Sequence, residues 1–252
     1  MLNFLATTGL LAIILSATSP ALIGDLATME RKISKFGGKK FPQGQLMDVD
    51  ERFRWPDNTI PWDYDPSSSF SASEKAIIEA AFQEMNTKSC VTFVQRTTEE
   101  TYVRVGNENA GCFVLNRGYI SDTWPNYLLN LESNSYCFEK GTRIPMHEMG
   151  HILGLSHEHI RYDRDLYIRI IWQNISKDGW PQYTKRSRLG VFSNLPYDFK
   201  SIMHYHLTDD GKKSIEILSG VDTGLANISQ IGNLPDLSES DISRINSAYN
   251  CN

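Results

Sequence analysis

His147-Glu148-Met149-Gly150-His151-Ile152-Leu153-Gly154-Leu155-Ser156-His157 is the stretch of the 252-residue chain from which the rest can be read. Residues four apart lie on one face of an α-helix, so His147 and His151 can offer two imidazoles to one metal ion. Glu148 stands one position along, too far round the helix to be a third ligand but near enough to act on a water at the metal. Gly154 stands where the helix must stop, because glycine takes the left-handed conformation that turns the chain back sharply. That turn brings His157 within reach as the third ligand. Three nitrogen ligands leave one coordination position open, the arrangement of a catalytic zinc site, with one Zn2+ expected per chain. The shorter pattern His147-Glu148-x-x-His151 arises by chance on ordinary amphipathic helices. The added glycine and third histidine make the full pattern specific. His159 and His206 lack the spacing of ligands and read as surface or packing histidines.

Length allows one generous domain, or two small lobes facing a cleft. The 40% hydrophobic and 22% charged fractions fit a soluble globular protein. The start of the chain differs. Phe4 to Leu15 is an apolar run followed by Ser16-Ala17-Thr18-Ser19-Pro20-Ala21. That combination reads as a secretory signal peptide over residues 1–19, with cleavage after Ala17 or Ala21, and is too short to cross a bilayer. Its competitor is a buried N-terminal helix, since no Lys or Arg precedes the run.

Cys90, Cys112, Cys137 and Cys251 are even in number and form no C-x-x-C pair, and the metal is already provided for by histidines. They therefore imply two disulfides, for which three pairings are possible, and an extracellular location. Asn174-Ile175-Ser176 and Asn227-Ile228-Ser229 are candidate glycosylation sequons in Asn174 and Asn227. Charge is uneven along the chain. Residues 1–47 carry five basic against two acidic residues, and the remainder carries 20 basic against 28 acidic, a net of −8. An acidic body argues against nucleic acid as a partner. The basic leader is read as a solvated linker that maturation can remove.

Phe36-Gly37-Gly38-Lys39-Lys40-Phe41-Pro42-Gln43-Gly44 is rich in turn residues and marks a boundary. Trp55-Pro56 through Ile60-Pro61-Trp62-Asp63-Tyr64 reads as a short strand, interrupted by prolines and suited to a sheet edge. Ser71-Ala72-Ser73-Glu74 is a capping box. It opens a helix whose apolar residues Ile77, Ile78, Ala81, Phe82 and Met85 keep helical spacing. Strands are predicted at Cys90–Gln95, Thr101–Val105 and Leu128–Leu131 from their β-branched, aromatic and apolar content. The metal helix is predicted from about Thr142 to Leu153. A loop-rich region follows, closed by a capped helix from Ser238 to about Tyr249 with Ile242, Ile245 and Tyr249 on its apolar face. The expected architecture is α+β in two lobes, with the metal on the floor of the cleft between them.

The full histidine pattern is similar to the metzincin signature H-E-x-x-H-x-x-G-x-x-H. His157-Glu158-His159-Ile160-Arg161-Tyr162-Asp163-Arg164-Asp165 resembles the astacin extension H-E-x-x-R-x-D-R-D, and Ser201-Ile202-Met203-His204-Tyr205 resembles the astacin Met-turn S-x-M-H-Y. The resemblance covers residues 48–252, from near Arg54-Trp55-Pro56 to Asp241-Ile242 and Tyr249-Asn250-Cys251. It implies a metzincin-like catalytic domain in which His147, His151 and His157 bind zinc and Glu148 is the general base. It implies that Met203 packs beneath the metal, and that Tyr205 ligates zinc at rest and swings away to stabilise the transition state. Glu158 would receive the amino terminus of the mature enzyme, and disulfides would join Cys90 to Cys251 and Cys112 to Cys137. Family prosegments place an aspartate on the zinc. Residues 20–47 would be that prosegment, and Leu22-Ile23-Gly24-Asp25 offers Asp25 as the blocking ligand, the alternative being a surface aspartate at a turn. The chain departs from the family pattern at Leu155 (usually Phe), at His159 (usually Gln) and in the missing second glycine around Asn116-Arg117-Gly118-Tyr119.

These expectations describe a secreted zinc metalloendopeptidase made as a zymogen, acting as a monomer on protein or peptide substrates, and without membrane association once the signal is removed. The competing reading from another class is a secreted binding or inhibitory protein that keeps the fold without the activity. All the expected catalytic residues are present, which favours the enzyme.

Overall fold

Helices and strands mix as an α+β fold in the computed structural model, which describes residues 53–122, 127–186 and 195–251. The expected signal peptide, the 20–47 prosegment and Asp25 lie outside the described residues. Five strands make the main sheet: β1 (Thr59–Tyr64), β2 (Thr92–Gln95), β3 (Val103–Gly106), β4 (Cys112–Val114) and β5 (Tyr127–Leu131), in the order β2-β1-β3-β5-β4. β1 runs parallel to β2 and β3, and β3 to β5; β4 pairs antiparallel with β5 at one edge. Every residue of β4 and β5 is buried, as expected where helices cover a sheet.

β1 corrects one expectation: its prolines suggested an edge, yet it lies inside the sheet. The register explains why the ladder tolerates Pro61. Residues Thr59 to Trp62 pair with β2, whereas pairing with β3 begins only at Trp62. Pro61 therefore sits where the strand has one neighbour, and its missing N–H interrupts no ladder on the β3 side.

Helix α1 (Ala72–Lys88) starts at the capping box the sequence indicates. Ser71 Oγ accepts from the Glu74 N–H, and the Glu74 carboxylate accepts from the Ser71 N–H at 2.8 Å. Its buried face lays Ile78, Ala81, Phe82 and Met85 on the sheet, with Phe82 stacked on Trp62 at 4.2 Å between centroids. The Asn86 side chain donates to Phe93 O at 2.9 Å and accepts from Phe93 N–H at 2.7 Å, which fastens the end of α1 to β2. Helix α2 (Arg143–Ile152) packs against α1, β4 and β5, and all of its residues are buried.

The second half is built from short pieces, as expected: β6 (Ile168–Ile170) paired with β9 (Ile215–Ile217), β7 (Thr208–Asp209) with β8 (Lys212–Lys213), and the single-turn α3 (Trp180–Tyr183). These gather a second hydrophobic core around Ile168, Tyr183, Phe199, Tyr205 and Ile215. Helix α4 (Glu239–Ala248) then returns to the first core, where Ile245 and Ala248 are buried. Two cores are the two lobes. Disulfides join Cys90 to Cys251 and Cys112 to Cys137, the first linking residues 161 apart and tying the end of α4 back beside β2.

Candidate metal centre

Helix α2 has to end abruptly for the third histidine to come back, and its C-terminus shows how. Gly154 takes φ +97°, its N–H donates to His151 O at 2.9 Å, and the Leu155 N–H donates to Gly150 O at 2.9 Å. This pair of bonds is a Schellman motif with glycine at the left-handed position. Tertiary donors meet the two carbonyls that the motif leaves over, those of Ile152 and Leu153, and add a second bond to His151 O. Gly118 N–H donates to His151 O at 3.0 Å, Trp55 Nε1 to Ile152 O at 3.1 Å and the Tyr249 hydroxyl to Leu153 O at 3.3 Å. Trp55 and Tyr249, nearly 200 residues apart, thus close one helix end.

Three imidazoles converge beyond that turn. His147 Nε2 and His151 Nε2 lie 3.2 Å and 3.0 Å from His157 Nε2. His147 Nδ1 faces Ile202 O at 2.8 Å and His151 Nδ1 faces Leu155 O at 2.7 Å. A carbonyl can only accept, so each Nδ1 carries the proton and each Nε2 turns a lone pair inward. Burial holds all three rings well below the ordinary histidine range, His147 down to about 3, so they are neutral, the form that ligates. Converging neutral lone pairs repel one another unless a cation sits among them. The three form the cluster able to hold a metal found among the described residues, and three imidazole nitrogens suit zinc.

Glu148 is fully buried, and neither carboxylate oxygen has a hydrogen-bond partner among the described residues. Burial pushes its carboxyl up to about 8 against the opposing field of Arg117. An orphaned buried carboxylate beside an open metal position is the place for a water. Met203 packs directly beneath the helix: a Cβ added to Gly150 would stand 2.8 Å from Met203 Sδ. The turn that carries Met203 is held by Asp241 of α4, which accepts from the Ser201 hydroxyl at 2.6 Å and the Ile202 N–H at 2.8 Å. Tyr205 packs its ring 4.4 Å from that of His157, and its hydroxyl donates to Gln182 Oε1 at 2.9 Å. His159 is a packing residue, buried and stacked on Tyr205 at 4.0 Å. His206 is partly buried nearby. The Glu158 carboxylate is buried and bonded to Arg244 and Arg161; the amino terminus expected to reach it lies outside the described residues.

Gly150, Gln182 and Arg143 carry no sign of these roles in the sequence, whereas Asp241 stands in the family-like Asp241-Ile242 stretch. Arg143 opens α2 and is buried with its guanidinium donating to the carbonyls of Gly232 and Leu234. It clamps that loop to the metal helix. Gly232, at φ +73°, in turn presses on the backbone of Tyr205 and His206. The capping pattern of Asp241, three residues after Ser238, is its second signal in the sequence.

The family described as Astacin (Peptidase family M12A) matches residues 47–250. The chain is 37% identical over 202 residues to zinc metalloproteinase nas-7 of Caenorhabditis elegans, covering 78% of this chain and 48% of that protein. It is 33% identical over 201 residues to the low choriolytic enzyme of Oryzias latipes, covering 79% of this chain and 69% of that one. The chain spans about half the length of nas-7 and of zinc metalloproteinase nas-8 from Steinernema carpocapsae, at 48% and 45%. Among solved structures, high choriolytic enzyme 1, a hatching enzyme zinc-protease from Oryzias latipes, superposes with a TM-score of 0.65 at 29% identity, covering 85% of this chain and 99% of that one.

A Cβ at Gly232 would lie 2.5 Å from His206 N and 2.7 Å from the Tyr205 carbonyl carbon, both backbone atoms that cannot turn aside. Gly232→Ala is therefore expected to destabilise the fold by more than about 2 kcal/mol, read as a fall in Tm in thermal unfolding. A Tm within experimental error of the parent would show that the loop does not pack there.

Proposed function

The chain belongs to the astacin family of zinc metallopeptidases, and from that membership we propose that it is a secreted endopeptidase, made as a zymogen, that hydrolyses internal peptide bonds of proteins. The observation that carries the reading is the convergence of three neutral imidazoles beside the unbonded carboxylate of Glu148. A zinc ion held by His147, His151 and His157 would supply Lewis acidity, acidifying a water and polarising a peptide carbonyl.

The chain's own groups do the rest. Glu148 accepts the proton of the attacking water and returns it to the departing amine. Burial with no hydrogen bonds raises its proton affinity, which suits a group that must take a proton and then release it. The Tyr205 hydroxyl leaves Gln182 and donates to the oxyanion of the tetrahedral intermediate. Met203 and the Ile202 carbonyl hold the floor and the His147 ring.

Secretion is supported by the apolar Phe4–Leu15 run, the two disulfides and the sequons. No helix among the described residues is long and apolar enough to cross a membrane. Of the two sequons, Asn227 is the better glycan acceptor. It is exposed and its side-chain oxygen accepts from Ser229 N–H at 2.9 Å, whereas the Asn174 amide is spent on Lys213 O at 2.7 Å. Asp25 of the 20–47 prosegment is the proposed latency residue.

Glu148→Ala is expected to keep one zinc per chain and to cut casein turnover by at least about a thousandfold. Turnover above that residue, or loss of zinc, would sink the general-base role. Tyr205→Phe should lower kcat by about 100-fold at unchanged KM, and an unchanged kcat speaks against an oxyanion donor. Asp25→Ala in the full-length chain should give activity before processing; latency equal to the parent's removes Asp25 from the reading. Glycopeptide mass spectrometry after expression in a eukaryotic secretory host should find the glycan on Asn227, and occupancy of Asn174 alone would reverse the assignment.

A further inference from the structure

Glu158 follows His157 directly in the chain, so whatever fixes Glu158 fixes the backbone that carries the third imidazole. Its carboxylate is 2% exposed. Oε2 accepts from Arg244 Nη1 at 2.6 Å, and Oε1 accepts from Arg244 Nη2 at 2.9 Å, Arg161 Nη1 at 2.8 Å and Asp198 N–H at 2.8 Å. Three of these donors converge on Oε1 and one on Oε2, so the carboxylate is held from three separate segments while Oε2 keeps one acceptor site. The Glu158 N–H donates to Met203 O at 3.0 Å, so the same residue also grips the turn beneath the metal. Arg244 stands on α4, 86 residues further on, and its planar fork meets both oxygens at once.

We propose that Arg244 is a positioning residue for the zinc site: through its two-point grip on Glu158 it holds His157 at the distance and angle that the metal needs. A buried ion pair is a poor source of net stability, because desolvating two charges offsets most of their attraction. Its value lies in geometry. Helix α4 holds the Met203 turn through Asp241 and the His157 turn through Arg244, and Asp241 stands 3.8 Å from Arg244 on the same helix. One rigid helix thereby sets the relative position of the His157 segment and of the turn whose Ile202 carbonyl orients His147. Arg161, bonded to Glu158, Asp163 and the carbonyls of Leu195 and Pro196, steadies the same carboxylate from the other side but reaches only one oxygen.

This inference rests on the three histidines holding zinc, and the test separates the two. Zinc affinity is measured by competition with a chromophoric chelator on the parent and on Arg244→Met, with circular dichroism and thermal unfolding of each metal-free protein. A parent that binds no zinc fails the metal reading itself. With a zinc-binding parent, Arg244→Met is expected to weaken zinc about 10- to 100-fold while staying folded, and Arg244→Lys, which keeps the charge but loses the fork, to fall between them. A lowered Tm with zinc affinity within twofold of the parent would mean a merely structural ion pair and would overturn the proposal. Should Arg244→Met fail to fold, the double variant Glu158→Gln with Arg244→Met removes both charges of that pair, while Arg161 keeps Asp163 and Asp241 keeps its bonds from Ser201 and Ile202, and it serves as the folded background. Weakened zinc is expected there too, and parental affinity overturns the proposal.

Discussion

Three imidazole nitrogens have to meet at one point although a helix supplies two of them and a turn supplies the third. The last turn of α2 solves that problem, and much of the molecule is arranged around it. The Schellman motif at Gly154 sends the chain back, and Leu155, the residue that completes it, offers its carbonyl to His151 Nδ1. The bond that ends the helix and the bond that orients a ligand therefore come from adjacent groups. Trp55 and Tyr249 satisfy the carbonyls left over and Gly118 adds a second donor to His151 O, which is why segments from both ends of the domain come to this spot.

Burial at the site works in two opposite ways. It keeps the imidazoles neutral and so ready to ligate, and it makes the Glu148 carboxylate costly to ionise and so ready to take a proton. Both follow from removing water, and neither requires a special residue type. Around this dry centre the charges are paired. Glu158 lies among two arginines, and its carboxyl stays below the usual range because their attraction and hydrogen bonds outweigh the burial that would raise it. Arg143 is the contrasting case: a buried cation that relies on backbone carbonyls, with burial pulling its guanidinium down to about 10.

What could be read in the sequence was local or rigidly spaced. The ligand set follows from helix period plus one glycine, and both long capped helices follow from Ser71-x-x-Glu74 and Ser238-x-x-Asp241. Pro61 points β1 to an edge because it cannot donate a ladder bond; the offset between its two pairings, which removes the conflict, is a property of three strands together. β4 is three residues long and carries too little periodicity to be seen. Gly150, Gln182, Arg143 and Arg244 act through partners 23 to 91 residues away or through a close packing contact, so no window of sequence contains both halves of their interactions. His159, set aside as surface or packing, is packing: its ring covers Tyr205.

The convergence of His147, His151 and His157 on one zinc ion is tested most directly by metal analysis combined with X-ray absorption at the zinc edge on the purified protein. One zinc per chain in a shell containing three imidazole nitrogens, with no sulfur, is the expected result. A stoichiometry near zero after purification in zinc-containing buffer, or a shell with fewer than three imidazoles, would contradict it.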